Sequence, residues 1–329
     1  MRRTAGHRWR ALRQPRIVVP VLLAGGLLAA AVSLSNVSEV LGRIGRIPIL
    51  SLVWTLVLAA FYLSIKGLQF RGFLRELEIF ASWRSVLIAY AVGELTLTLP
   101  LGIYAQNYVL QRVQGGDMYR TAAATTLMLA FEAGLLFLLL AVIGIRGWPW
   151  LRPLALVSLV GLVAFVMVVA RWGRLRLWAD RVTRRLGLTV PAPVKFLHGL
   201  GTLTDSGVLT RRGYLTVLYV AALIGAFQAI AHGVGVAGLD ISQAAVIYAF
   251  SLSVALVCGG VTSQVGVLEI AGMGAAQASG YSYSEGLAML LGFRLVWTAC
   301  IWLLGLPVVL WLRNELAGSG RDGGQEAPD

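Results

Sequence analysis

Apolar residues run through this chain in blocks and do not alternate with polar ones. Six blocks read as membrane helices: Ile17–Leu34, Ile49–Phe70, Thr121–Ile145, Leu154–Ala170, Tyr214–Ala237 and Gly286–Leu312. Each reaches the roughly 17 mainly apolar residues that a helix needs to cross the hydrocarbon core. Two further stretches are apolar but broken. Ser85–Leu110 is interrupted by Gly93, Glu94, Thr96, Thr98, Pro100 and Gly102, and Gln243–Gly280 by the run Gly259-Gly260-Val261-Thr262-Ser263-Gln264.

The basic residues assign sides. The arm 1–16 carries six arginines and no acid, and the connection 171–212 holds nine basic residues, so both are expected on the cytoplasmic face. The loop Arg71–Arg84 belongs with them. Two good spans lie between those loops, and parity then makes the segment 85–110 a re-entrant hairpin from the cytoplasmic side. The same count makes the segment 243–280 a hairpin from the external side; the alternative reading of the two segments is a pair of kinked but ordinary spans. Broken backbone at membrane depth is tolerated where protein or a water-filled cavity covers it. Two such segments entering from opposite faces are the pattern of an inverted repeat with a site near the midplane. The expected fold class is therefore an all-α polytopic membrane protein with about six transmembrane helices plus two re-entrant hairpins. A single membrane domain, 17–316, would follow the arm 1–16 and precede a disordered tail, 317–329. Within 171–212, Trp and Leu alternate with Arg over Trp172–Leu188, as in an interfacial amphipathic helix.

Composition supports this and narrows the function classes. Of 329 residues, 58% are hydrophobic and 13% charged, with mean hydropathy +0.77, against about 25% charged in soluble domains. The net charge of +13 sits between apolar blocks and suits orientation and anionic headgroups, not nucleic acid. Cys258 and Cys300 lie inside apolar segments and the three histidines are far apart, so no metal site or cofactor is expected. Walker, Rossmann, His-Glu-x-x-His and nucleophile-elbow patterns are absent, and no cleavable signal peptide is evident.

Ionisable groups inside apolar segments carry the chemistry, since each costs about 2.5–3.5 kcal/mol at the bilayer centre. Glu94, Glu132, Glu269 and Arg294 stand out. Lys66 lies toward a cytoplasmic helix end and reads as a snorkelling residue. Thr98 or Leu99 can cap a returning half-helix with Pro100 in its first turn, and Thr262 or Ser263 can cap one that runs through Glu269. Both helix starts would aim N–H groups and a positive dipole end at the interior, an arrangement that binds anions. Gln106, Asn107 and Gln264 could add hydrogen bonds, although such groups also serve to satisfy the broken backbone. Arg294 needs a partner, either Glu269 or a lipid phosphate.

The segment Gly259–Glu269 followed by Arg294, together with Leu99-Pro100-Leu101-Gly102 and Ala123–Glu132, resembles the transmembrane region of the lysylphosphatidylglycerol synthase, flippase-like integral membrane family. The chain departs from it in having Gln106 and Asn107 where the family often carries Gly-Glu and then Arg. The bifunctional members add an aminoacyl-transferase domain that is absent before Asp329. The resemblance implies the translocating half of that activity: moving an anionic lipid, or its headgroup, between leaflets of the cell membrane. The expected substrate-binding set is Glu94, Thr98, Pro100, Gln106, Asn107, Glu132, Thr262, Ser263, Gln264, Glu269 and Arg294, with no catalytic residue. Two other readings stay open: a membrane enzyme that transfers a headgroup on a phospholipid or polyprenyl-phosphate lipid, and a non-catalytic partner of a lipid-modifying synthase.

Overall fold

The computed structural model describes residues 25–27, 29–96, 102–114, 117–171, 192–204, 206–236, 238–258 and 266–318. A helical segment, Gly25–Ser33, turns by 99° into α1 (Val37–Ile44). Then follow α2 (Ile49–Glu76), α3 (Trp83–Leu95), a 3-10 turn (Gly102–Tyr104) and α4 (Ala105–Gln114). Next come α5 (Met118–Val142), α6 (Leu151–Arg171), α7 (Ala192–Leu203) and α8 (Ser206–Gly233). The chain continues with α9 (Ile241–Cys258), α10 (Val267–Ala278) and α11 (Tyr283–Gly318). No strand occurs among the described residues; the single β-bridge, Ile145 with Trp148, closes a turn.

This is an all-α polytopic membrane protein. Six helices are long and apolar enough to span: α2, α5, α6, α8, α9 and α11, with Gly25–Ser33 plus α1 as a seventh if that bent pair is one span. The set differs from the sequence expectation at two places. The block Ile17–Leu34 lies partly outside the described residues, and α9, the first leg of the second broken segment, has span length by itself at 18 residues. The amphipathic reading of Trp172–Leu188 also falls outside the described residues. The last helix runs to Gly318, past the expected start of the tail at Ala317.

Both broken segments fold back on themselves. In the first, α3 packs along α4 closely enough that a Cβ on Gly93 would meet Gln106 Oε1 at 2.9 Å. The Thr96 hydroxyl donates to the Gly102 carbonyl across the break, at 2.8 Å. The flanks of this pair are tied together where Arg120 Nη2 donates to the Leu77 carbonyl at 2.7 Å. In the second, α9 packs along α10, and the flanks are tied by Tyr281 Oη donating to Gln243 Oε1 at 2.6 Å.

The two hairpins open toward opposite ends of the bundle. Helix α5 begins beside the first, at Asp117 and Arg120, and its far end leads to Gly147, whose N–H donates to the Ala278 carbonyl of the second at 3.0 Å. Each hairpin rests on α5 and α11. Packing of α10 on α11 depends on small residues, as lipid-embedded helix interfaces usually do. A Cβ on Gly272 would lie 2.5 Å from Leu290 and 2.6 Å from the Ser251 hydroxyl, so α9, α10 and α11 meet at hydrogen-to-hydrogen distance there.

Candidate functional site

The charged residues of the apolar blocks converge on the middle of the bundle. Helix α2 carries Thr55, Tyr62, Lys66 and Gln69 at helical spacing, and all four are buried along one face. Lys66 is not a snorkelling residue. The helix runs on to Glu76, which sets Lys66 well inside, and its side chain is only 3% exposed. Its ammonium lies 3.1 Å from Glu132 Oε2 and 3.7 Å from Glu94 Oε1, and donates to Tyr62 Oη at 2.6 Å. The rings of Tyr62 and Tyr219 face the same ammonium at 4.8 and 5.1 Å. Glu94 Oε1 also accepts from Tyr62 and Tyr90, at 3.2 and 2.6 Å. The first hairpin thus brings Glu94 to a cation on a long helix.

The second hairpin repeats this arrangement with other residues. Arg294, a third of the way along α11, pairs with Glu269 Oε1 at 2.5 Å. Glu269 Oε2 accepts from the Gly266 N–H at 2.7 Å, closing the first turn of α10. This corrects the expected cap. The N-cap of α10 is Gly266, at φ 83°, a conformation that glycine adopts without steric penalty, and not Thr262 or Ser263. Part of the helix start that was expected to face an anion is therefore occupied by the protein's own carboxylate. Exposure separates the two partners: the Arg294 side chain is 16% exposed and that of Glu269 1%.

Between the two ion pairs lies a cavity of about 90 Å³. Lys66, Glu132, Arg294 and Thr298 supply its polar wall, and Ile103 and Leu268 reach it from near the two hairpin tips. A run of touching rings also lines it: Tyr62 edge-on to Trp297 at 5.2 Å, Trp297 stacked on Phe293 at 5.5 Å, and Phe293 edge-on to Tyr248 at 5.4 Å.

Of the expected set, Glu132 and Arg294 line the cavity, while Glu94 and Glu269 stand behind Lys66 and Arg294 and hold them. Gln106 and Asn107 do neither. Gln106 Nε2 donates to Thr125 Oγ1 at 2.7 Å, and that hydroxyl donates to Asn107 Oδ1 at 3.0 Å, which pins α4 against α5. Each keeps one buried polar atom without a partner among the described residues, Gln106 Oε1 and Asn107 Nδ2. Thr98, Pro100, Thr262, Ser263 and Gln264 lie outside the described residues. Sequence reasoning missed Lys66, Tyr62 and Tyr90; the polar stripe along α2 was the signal that could have found the first two. No group of three or more His, Cys, Asp and Glu side chains that could hold a metal occurs among the described residues.

Compared with known proteins, the chain matches no family model and no curated relative.

Proposed function

We propose that this protein moves a lipid with an anionic headgroup between the leaflets of a cell membrane. The observation that carries this reading is the asymmetry of the Arg294–Glu269 pair. The guanidinium faces the cavity, whereas the carboxylate is enclosed and anchored by the Gly266 N–H. Arg294 can exchange Glu269 for a phosphate oxygen without leaving Glu269 wholly unpartnered, and a guanidinium suits a phosphate by its paired donors. Lys66 is different: locked between Glu94 and Glu132, it fixes the first hairpin. Glu132 shares that one ammonium with Glu94, so protonation of Glu132 would alter the charge that the headgroup meets. Alternating exposure follows if one hairpin and its helices rock against the other. The basic end of the bundle, with Arg71, Arg75, Arg84, Arg112, Arg120, Lys195, Arg211 and Arg212, faces the cytoplasm together with the N-terminus. The resemblance to the flippase-like family points the same way, and a separate lipid-modifying enzyme is a fitting partner.

The test is a leaflet-exchange assay in vesicles that contain phosphatidylglycerol labelled on its headgroup-proximal chain with a dithionite-sensitive fluorophore. Wild type is expected to expose both leaflets to dithionite, and Arg294→Ala to fall to the rate of protein-free vesicles while eluting as a folded monodisperse species. Exchange that survives Arg294→Ala removes this residue from the transport path.

A further inference from the structure

Along the outer side of α5, between α6, α7 and α9, runs a groove of about 680 Å³ with an almost wholly apolar lining. Two features set it apart from an ordinary lipid-facing surface. Leu129 of α5 and Leu256 of α9 line both this groove and the charged cavity, so the two spaces share a wall. Polar atoms also lie where the groove should need none. Ser253 is 95% buried, lines the groove, and its hydroxyl has no hydrogen-bond partner among the described residues. Tyr104 Oη and Thr126 Oγ1, which pair at 3.0 Å, line the same groove. A serine on a helix in lipid ordinarily returns its hydroxyl to a backbone carbonyl one turn back, as Ser251 does to Ile247 at 2.6 Å. Ser253, two residues on, does not, which leaves a buried hydroxyl unmet.

We infer that the groove seats one acyl chain of a phospholipid whose anionic headgroup occupies the charged cavity, with an ester carbonyl of that lipid accepting from the Ser253 hydroxyl. The inference rests on the transport reading for the headgroup and extends it to the tail. The chain would stay in an apolar channel on α5 while the phosphate passes between Leu129 and Leu256 toward Arg294. A lipid held this way is recognised at both ends, which separates it from bulk lipid that wets the outer face of α6 at Leu156, Val157 and Val160.

The full chain is reconstituted in phosphatidylcholine vesicles that contain either phosphatidylglycerol or diacylglycerol, each with a photoreactive diazirine on one acyl chain. After irradiation the labelled residues are mapped by mass spectrometry. The phosphatidylglycerol probe is expected to label α5 around Ala133 and α9 around Ser253 several-fold more than the diacylglycerol probe. Ala133→Trp, which fills the groove without touching a charged residue, should remove that excess and leave labelling at Val157 unchanged. Ser253→Ala should reduce it several-fold. Equal labelling by the two probes, or an excess that persists in Ala133→Trp, overturns the seat. Groove labelling in a protein that shows no leaflet exchange would sink the transport reading and keep the seat, whereas exchange with an unlabelled groove would do the reverse.

Discussion

Lys66 and Arg294 do different work although each is a cation facing acids in a lipid-embedded interior. Removing one partner of a buried pair leaves an uncompensated charge, at about 3–5 kcal/mol. Lys66→Met should therefore lower stability by about that amount, because Glu94 and Glu132 both lose their cation. Adding Glu132→Gln to Lys66→Met should recover part of the loss, and thermal unfolding in detergent reads both effects. A Lys66→Met protein as stable as wild type would show that the acids do not depend on that ammonium. Glu94, Glu132, Glu269 and Arg294 were legible in the sequence, because an ionised group inside an apolar block is rare enough to be informative alone. Lys66 was not, because distance to a helix end was judged from the apolar block Ile49–Phe70, and the helix itself continues to Glu76. Gln106 and Asn107 are met on one side only: Thr125 bonds Gln106 Nε2 and Asn107 Oδ1, while Gln106 Oε1 and Asn107 Nδ2 stay buried without a partner among the described residues, a division no sequence pattern shows.

At the scale of helices, two contacts set the geometry on which the site depends. Gly272→Ala puts a methyl against Leu290 and Ser251 where none fits, and overpacking of this kind costs about 1–3 kcal/mol. The variant should melt earlier and should weaken the Glu269–Arg294 pairing one turn away; an unchanged melting curve would mean that α10 shifts freely. The other contact is at the start of α5. Asp117 caps that helix, accepting from the Tyr119 and Arg120 N–H groups at 2.9 and 3.4 Å, and pairs with Lys195 of α7 at 2.6 Å. Burial alone would raise its pKa, but the Lys195 hydrogen bond and the Tyr119 N–H outweigh it and hold the carboxyl below its usual 3.8. A depressed pKa gives stability that is complete above the unfolded value and is lost as pH falls through the folded one. The wild type should thus lose this tie only below about pH 4. Asp117→Ala should cost about 1 kcal/mol at neutral pH, and less in acid. Melting curves from neutral to acid pH would show the two proteins converging; a constant gap would deny the carboxylate its role. The hairpins themselves were legible, since glycine, proline and charge break an apolar run visibly and parity demands a return. The cap was not, because Gly266 closes α10 through a positive φ and a carboxylate borrowed from Glu269, and neither leaves a mark as plain as a Thr or Ser before a helix.

For the whole molecule, the ties at Leu77–Arg120 and Gln243–Tyr281 fix the feet of the hairpins at opposite ends. With Cys258 and Cys300 replaced by serine, a cysteine at Ser282 should react with a membrane-impermeant maleimide in intact cells, and one at Gln114 only after permeabilisation. Equal reaction of both in intact cells would overturn the opposed arrangement. This organisation was legible from charge, because basic residues crowd one set of connections. The span-length α9 was harder to read, since its 18 mainly apolar residues look the same in sequence whether the chain crosses there or turns back along α10, as the Tyr281–Gln243 tie and the Gly272–Ser251 contact show it does. The central charges bear on how the chain is made. Synthesis delivers Lys66 to the membrane 28 residues ahead of Glu94 and 66 ahead of Glu132, so both of its acids are present only once α5 is made, whereas Glu269 meets its single partner Arg294 after 25 residues. A lone ammonium is poorly tolerated in hydrocarbon. Helix α2 is therefore expected to linger in the polar shelter of the insertion machinery until α3 and α5 have emerged, the first half of the protein entering the bilayer as a group and not helix by helix.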